Sequence, residues 1–181
     1  MSRDVVSLQA EAGKHILEID QHTHTLQMLD YAYHQIYKGN SYVITRAIDV
    51  LNGETTDVLI VTGSNKDIHL YATVISESEA EFCLYEDTTT SNDGTVVQAY
   101  NRNRLSSNTP VTITKHTPTV TNVGTCIYTK HWGSGKDVGA EARAENAFIL
   151  KRNSKYLLRV LNATSSNNYV SFLLNWYEHI C

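Results

Sequence analysis

The sequence predicts an all-β fold: an antiparallel β-sandwich, jelly-roll-like, with an N-terminal arm. Three observations predict it. Eleven tyrosines and only two prolines stand in a chain also rich in Thr and Val, the aromatic and β-branched composition of half-buried pleated surfaces. Apolar residues recur with a period near two in short runs. Clusters of Gly, Asn, Asp and Ser punctuate those runs at hairpin spacing. With 181 residues, 41% hydrophobic and 19% charged, the chain is large and apolar enough for one cored domain.

Residues 1–25 fit the alternation poorly and read as an arm; residues 26–181 read as the β domain. Within it, "LQMLDYAYHQIY" (26–37) alternates Leu29, Tyr31 and Tyr33 against polar neighbours and reads as a strand. The turn Lys38-Gly39-Asn40 leads into residues 40–50. Residues 56–63 stop at Gly63, 68–76 alternate well, and 79–87 set Phe82 and Leu84 opposite Cys83 and Tyr85. The turn at Ser91-Asn92-Asp93-Gly94 precedes residues 95–102. Further strands read at 110–117, 124–132, 146–153, 155–162 and 168–179. Ala and Glu in 139–150 offer one helical turn before Phe148, and 9–19 another. No internal repeat and no low-complexity segment stands out.

A formal net charge of −4 and a pI near 6.0 argue against a nucleic-acid partner, which needs surplus Lys and Arg to neutralise phosphate. No apolar run approaches the roughly 20 residues that span a bilayer, and residues 1–14 lack the apolar core of a signal peptide. Synthesis in the cytoplasm is therefore expected, with no membrane partner. The sequon at Asn162 then carries no glycan. Cys83, Cys126 and Cys181 are odd in number and far apart in sequence; they read as free thiols.

Candidate chemistry is sparse. His22-Thr23-His24 places two imidazoles on one side of a strand, the start of a cupin-type metal motif. The following glutamate and the later Pro-x-Gly turn with histidine are missing, so no metal and no cofactor is expected. Glu178 and His179 are neighbours on a strand and point to opposite faces, and no nucleophile elbow or phosphate loop occurs. No catalytic residue is expected. Arg102 and Arg104 in "YNRNR" read as ion-pairing groups at a subunit contact, where arginine suits carboxylates. Tyrosines and Trp132 and Trp176 read as core plus interface. The ending "NWYEHIC" reads as the closing strand, with Val170, Phe172, Leu174 and Trp176 on one face, and with Glu178 and His179 at the rim or at a subunit contact.

Four stretches, "LYEDTTTSNDGT…YNRNR" (84–104), "TPTVTNVGT" (117–125), "LKRNSKYLLRVLN" (150–162) and "NNYVSFLLNWYEH" (167–179), together resemble a family of tailed-bacteriophage virion structural proteins. The similarity runs from about Ile19 to His179 with the motifs in the family's order. The resemblance implies a virion component, best a capsid decoration (cement) protein on the outer surface of the assembled head. Its implied partners are the major capsid protein and other copies of itself, as a trimer. Val5, Val6, Leu8, Ile16 and Leu17 of the arm, with Arg102, Arg104, Tyr177 and His179, are the expected subunit or capsid contacts. The alternative is a tail or fibre adhesin whose exposed Tyr, Trp and Asn bind host glycans.

Overall fold

The strands expected from residue 40 onward build two packed antiparallel sheets. The computed structural model describes residues 30–133, the backbone of 141–143, and residues 147–180. The expected arm, the 9–19 helix, and His22 and His24 lie outside the described residues, as do Val5, Val6, Leu8, Ile16, Leu17 and Cys181. In chain order the elements are α1 (Tyr31–Tyr37), β1 (Ser41–Val50), β2 (Thr55–Val61), β3 (Asp67–Ser76), β4 (Ala80–Glu86), β5 (Thr89–Asn92), β6 (Thr95–Val97) and β7 (Tyr100–Asn101). They continue with β8 (Ile113–His116), β9 (Thr119–Asn122), β10 (Thr125–Trp132), β11 (Glu141–Arg143), β12 (Phe148–Leu150), β13 (Lys155–Asn162) and β14 (Asn168–His179).

One sheet runs β11-β3-β14-β1-β7, with β12 also on β3; the other runs β10-β4-β13-β2-β8-β6; β5 and β9 form a separate ribbon. The pairing is nested. β1 meets β14, β2 meets β13, β3 meets β12 and β4 meets β10, then β5 meets β9 and β6 meets β8. The chain is thus one long antiparallel ribbon whose halves wrap so that β14 also pairs β3 and β13 also pairs β4. Alternation sets the core: Val170, Phe172, Leu174 and Trp176 of β14 lie beside Ile68, Leu70, Ala72 and Val74 of β3. They face Phe82, Leu84, Leu158 and Val160 of the other sheet.

Four expectations need correction. Residues 31–37 are helix, not strand. Asp30 caps that helix, its Oδ1 accepting from the amides of Ala32 at 2.9 Å and Tyr33 at 3.4 Å; a capped first turn overrides the alternation. The Ala/Glu stretch at 139–150 contributes strand at Glu141–Arg143 and Phe148–Leu150, both pairing β3. The expected strand at 95–102 is divided into β6 and β7, which join different sheets. Cys83 and Cys126 are not free thiols. They form a disulfide between β4 and β10, with Cα atoms 6.1 Å apart, inside the range that a disulfide spans.

The sequence also holds a repeat that its alternation hides. Thr89-Thr90-Ser91-Asn92-Asp93-Gly94-Thr95 and Thr119-Val120-Thr121-Asn122-Val123-Gly124-Thr125 occupy equivalent places. In each, the Asn side chain accepts from the Gly amide two residues on. Each Gly has φ near +85°, and each unit follows a residue with positive φ, Asp87 or Thr117. The two units pair across a local two-fold: Thr89 opposes Asn122 and Asn92 opposes Thr119. Thr95 meets His116 as Thr125 meets Glu86. A Cβ on Gly94 would overlap the His116 carbonyl, and one on Gly124 the Glu86 carbonyl.

Gly124→Ala therefore meets both a left-handed backbone and a backbone carbonyl. It should cost at least ~2 kcal/mol in urea unfolding, against the ~1 kcal/mol of an unhindered glycine site. Reducing Cys83–Cys126, which closes a loop of 43 residues in sequence separation, should remove roughly 4 kcal/mol by chain entropy. A calorimetric scan with and without reductant reads this as a fall in Tm.

Candidate functional site

One end of the sandwich gathers α1, the start of β1, β7, the loop of residues 102–112, the start of β3 and the end of β14. Asparagines assemble it. Asn101 Nδ2 donates to the carbonyls of Gly39 at 2.8 Å and Asn108 at 3.1 Å. Asn103 Nδ2 donates to the Tyr37 carbonyl at 3.0 Å, and Asn103 Oδ1 accepts from the Leu105 amide. Asn108 Nδ2 reaches the Gly39 carbonyl at 3.2 Å. In "YNRNR" Asn103 thus satisfies a C-terminal carbonyl of α1 and Asn101 ties down the turn that follows it, while Arg102 and Arg104 are exposed. Arg104 lies over the Tyr100 ring with its guanidinium carbon 5.6 Å from the centroid, a cation–π contact.

Below this loop sits a buried carboxylate. Glu178 is fully enclosed, at 0% exposure. Its oxygens accept from the Val111 amide at 3.0 and 3.1 Å, the Thr112 amide at 2.9 Å and the Trp176 indole at 3.2 Å. Lys66 Nζ stands 3.5 Å away. Four donor groups replace water, which is what an enclosed carboxylate requires. The expected position for Glu178, at the rim or at a subunit contact, is corrected by this geometry. Strand alternation turns it into the fold beside Trp176, and His179 alone of the pair faces outward. Burial, with Glu178 alongside, pushes the Tyr42 hydroxyl up to about 12, so it stays protonated.

The outward face of the same β14 end carries an imidazole pair. His69 Nε2 and His179 Nε2 are 2.9 Å apart. Tyr177 stacks on His69 at 4.5 Å between centroids. Tyr31, the first residue of α1, sets its edge against Tyr177 at 5.9 Å and His179 at 5.8 Å. Tyr177 is buried under this cover, and burial first, then neighbouring tyrosines, pushes its hydroxyl up to about 12.

Of the expected contact residues, the structure brings Arg102, Arg104, Tyr177 and His179 to this one end. Tyr177 is internal packing there rather than free surface. The sequence reading missed the larger feature. Tyr33 and Tyr37, one helical turn apart on α1, are exposed, as are Tyr100 and Leu105 on either side of the Asn103 that bonds the Tyr37 carbonyl; Tyr37 is 72% exposed and Leu105 98%. The signal lay in "YAYHQIYKG", read with period 3.6 instead of two. Among the described residues no group of three or more His, Cys, Asp or Glu converges as a metal site. Asn162, the sequon residue, is buried with its amide donating to the carbonyls of Val50, Leu51 and Ser166. The chain matches no protein-family model and no curated protein.

Glu178→Ala should lower the unfolding free energy by about 3–5 kcal/mol in urea titration. It strands Lys66, two amides and the Trp176 indole, as when one partner of a buried pair is removed. Glu178→Gln keeps an acceptor and should cost less.

Proposed function

We propose that this chain is a tailed-bacteriophage virion protein that decorates the capsid, binding the outer surface of the assembled head as a homo-oligomer, a trimer at local three-fold positions. One observation carries the reading: a rigid β-sandwich presents Tyr33, Tyr37, Tyr100 and Leu105, with Arg104, on a single end. Tyr and Arg are the residues enriched where proteins meet, and an exposed apolar patch rimmed by polar groups marks such a contact. The nested strand order supports a jelly roll, an architecture common among viral capsid domains; that support is analogy at the level of the fold. The resemblance of the four sequence stretches to phage virion proteins points the same way.

The mechanism is mass action. A protein that binds only the assembled lattice stabilises it by its own binding free energy. The major capsid protein is the partner in this reading, the arm of residues 1–25 reaches adjacent subunits, and the site is the virion surface. The asparagine scaffold matters because it orders the loop before binding, so little conformational entropy is lost on contact.

Heads lacking the protein, mixed with purified chain and sedimented, test the proposal. Wild type should co-sediment. Tyr37→Ala combined with Leu105→Ala should weaken binding at least tenfold while leaving Tm within a degree or two, because both side chains are solvent-exposed. Deleting residues 1–18 should also weaken it with the domain still folded. Undiminished co-sedimentation of the double variant would remove this surface from the reading. Glycan-array binding that the same substitutions abolish would replace decoration by an adhesin role.

A further inference from the structure

We propose that the His69–His179 pair is a pH-sensitive latch that holds the start of α1 against the sheet and lets it go in mild acid. The inference does not rest on the capsid reading. It starts from the 2.9 Å separation of the two Nε2 atoms. At that distance one imidazole donates and the other accepts, so the contact exists only while at least one ring is neutral. A second proton removes the acceptor and sets two cations in contact. Cross-strand geometry leaves the rings little room: β3 and β14 are paired with Tyr177 opposite His69 and His179 opposite Asp67.

The surroundings favour a neutral His69. Burial lowers the proton affinity of His69 first, and the charge of a protonated His179 lowers it further; Asp67 acts in the opposite direction with the smaller effect. Asp67 is itself bound to Arg152 at 2.7 Å. Tyr71 on β3 and Tyr177 on β14 stand near, their ring centroids 6.4 Å apart; the α1 end contributes Asp30, Tyr31 and His34, the last with its ring 6.4 Å from Tyr31. Glu178 lies on the opposite side of β14, occupied by Lys66 and backbone amides.

The sign follows. His69 has a lower proton affinity when packed than when exposed, so the undocked state binds more protons. Docking is at full strength above the ordinary imidazole value of about 6.5. It is lost as pH falls below that value toward the packed one. What is lost is specific. Tyr31 packs on Tyr177 and His179, so splaying the rings withdraws the platform under the first turn of α1. The C-terminal turn of α1 stays tied through Asn103, and its buried Gln35 through Asn40. The helix would therefore hinge from its N-terminal side, where residues 1–29 join it.

Amide hydrogen exchange on the full chain at pH 7.5 and 5.0, normalised for intrinsic rates, tests the latch. Residues 31–37 should lose protection several-fold on acidification while 170–176 of β14 hold theirs. His69→Gln and His179→Gln, each leaving one titratable ring, should each abolish the step; His116→Gln, which alters a histidine of the other sheet, should leave it. Equal loss in α1 and β14, or an unchanged step in both latch variants, overturns the proposal. Should either variant fail to fold, an NMR titration of the wild-type imidazoles decides. His69 should titrate below the ordinary histidine value; a His69 midpoint at or above that value overturns it.

Discussion

The enclosed carboxylate of Glu178 is the constraint from which this end of the molecule follows. A charge without water needs compensating donors, and here two come from the backbone of Val111 and Thr112, one from Trp176 and one from Lys66. Satisfying it fixes the loop of residues 102–112 over the end of β14. That loop carries the asparagines that bind α1 and the Arg104 and Leu105 side chains that face solvent. The polar group thus specifies an arrangement that apolar packing alone would leave free to slide. Trp176 links the core to this polar end: its ring sits in the core and its indole nitrogen is one of the donors.

Nested pairing explains why one strand holds so much. β14 pairs β1 and β3 along its length, so each core residue on it is flanked on both sides. The same wrapping brings β4 and β10 together far from each other in sequence, and places Cys83 and Cys126 within bonding reach. The paired units at 89–95 and 119–125 face each other across the ribbon through β5 and β9, and two equivalent glycines lie against two equivalent carbonyls. Similar sequence at 89–95 and 119–125 is thus two solutions to one steric problem.

The strands of the sandwich were legible because each buries one face, and a period of two is a direct record of that. Val170, Phe172, Leu174 and Trp176 are core by both measures. The failures have physical causes. Residues 31–37 alternate as a strand would, yet a single capping carboxylate at Asp30 decides for helix, and periodicity does not register a cap. The disulfide was illegible because 43 residues separate two sulfurs that only the wrapped ribbon brings together. The Thr-Asn-Gly repeat escaped because alternation ignores side-chain identity. An ionisable residue is ordinarily exposed, which puts Glu178 at the rim or at a subunit contact; its two backbone donors come from a loop 66 and 67 residues away.

At the candidate surface the sequence pointed to the right segment for a partial reason. "YNRNR" drew attention through its arginines, and Arg104 does belong to the exposed end. The work of shaping that end falls to Asn101 and Asn103, which alternate with them. A short polar side chain with both donor and acceptor can bridge a helix terminus and a loop at once; arginine, which only donates, cannot close the same network. The alternation of inward asparagine and outward arginine therefore separates two roles in five residues. One set holds the backbone, and the other is exposed to solvent, Arg104 against the Tyr100 ring.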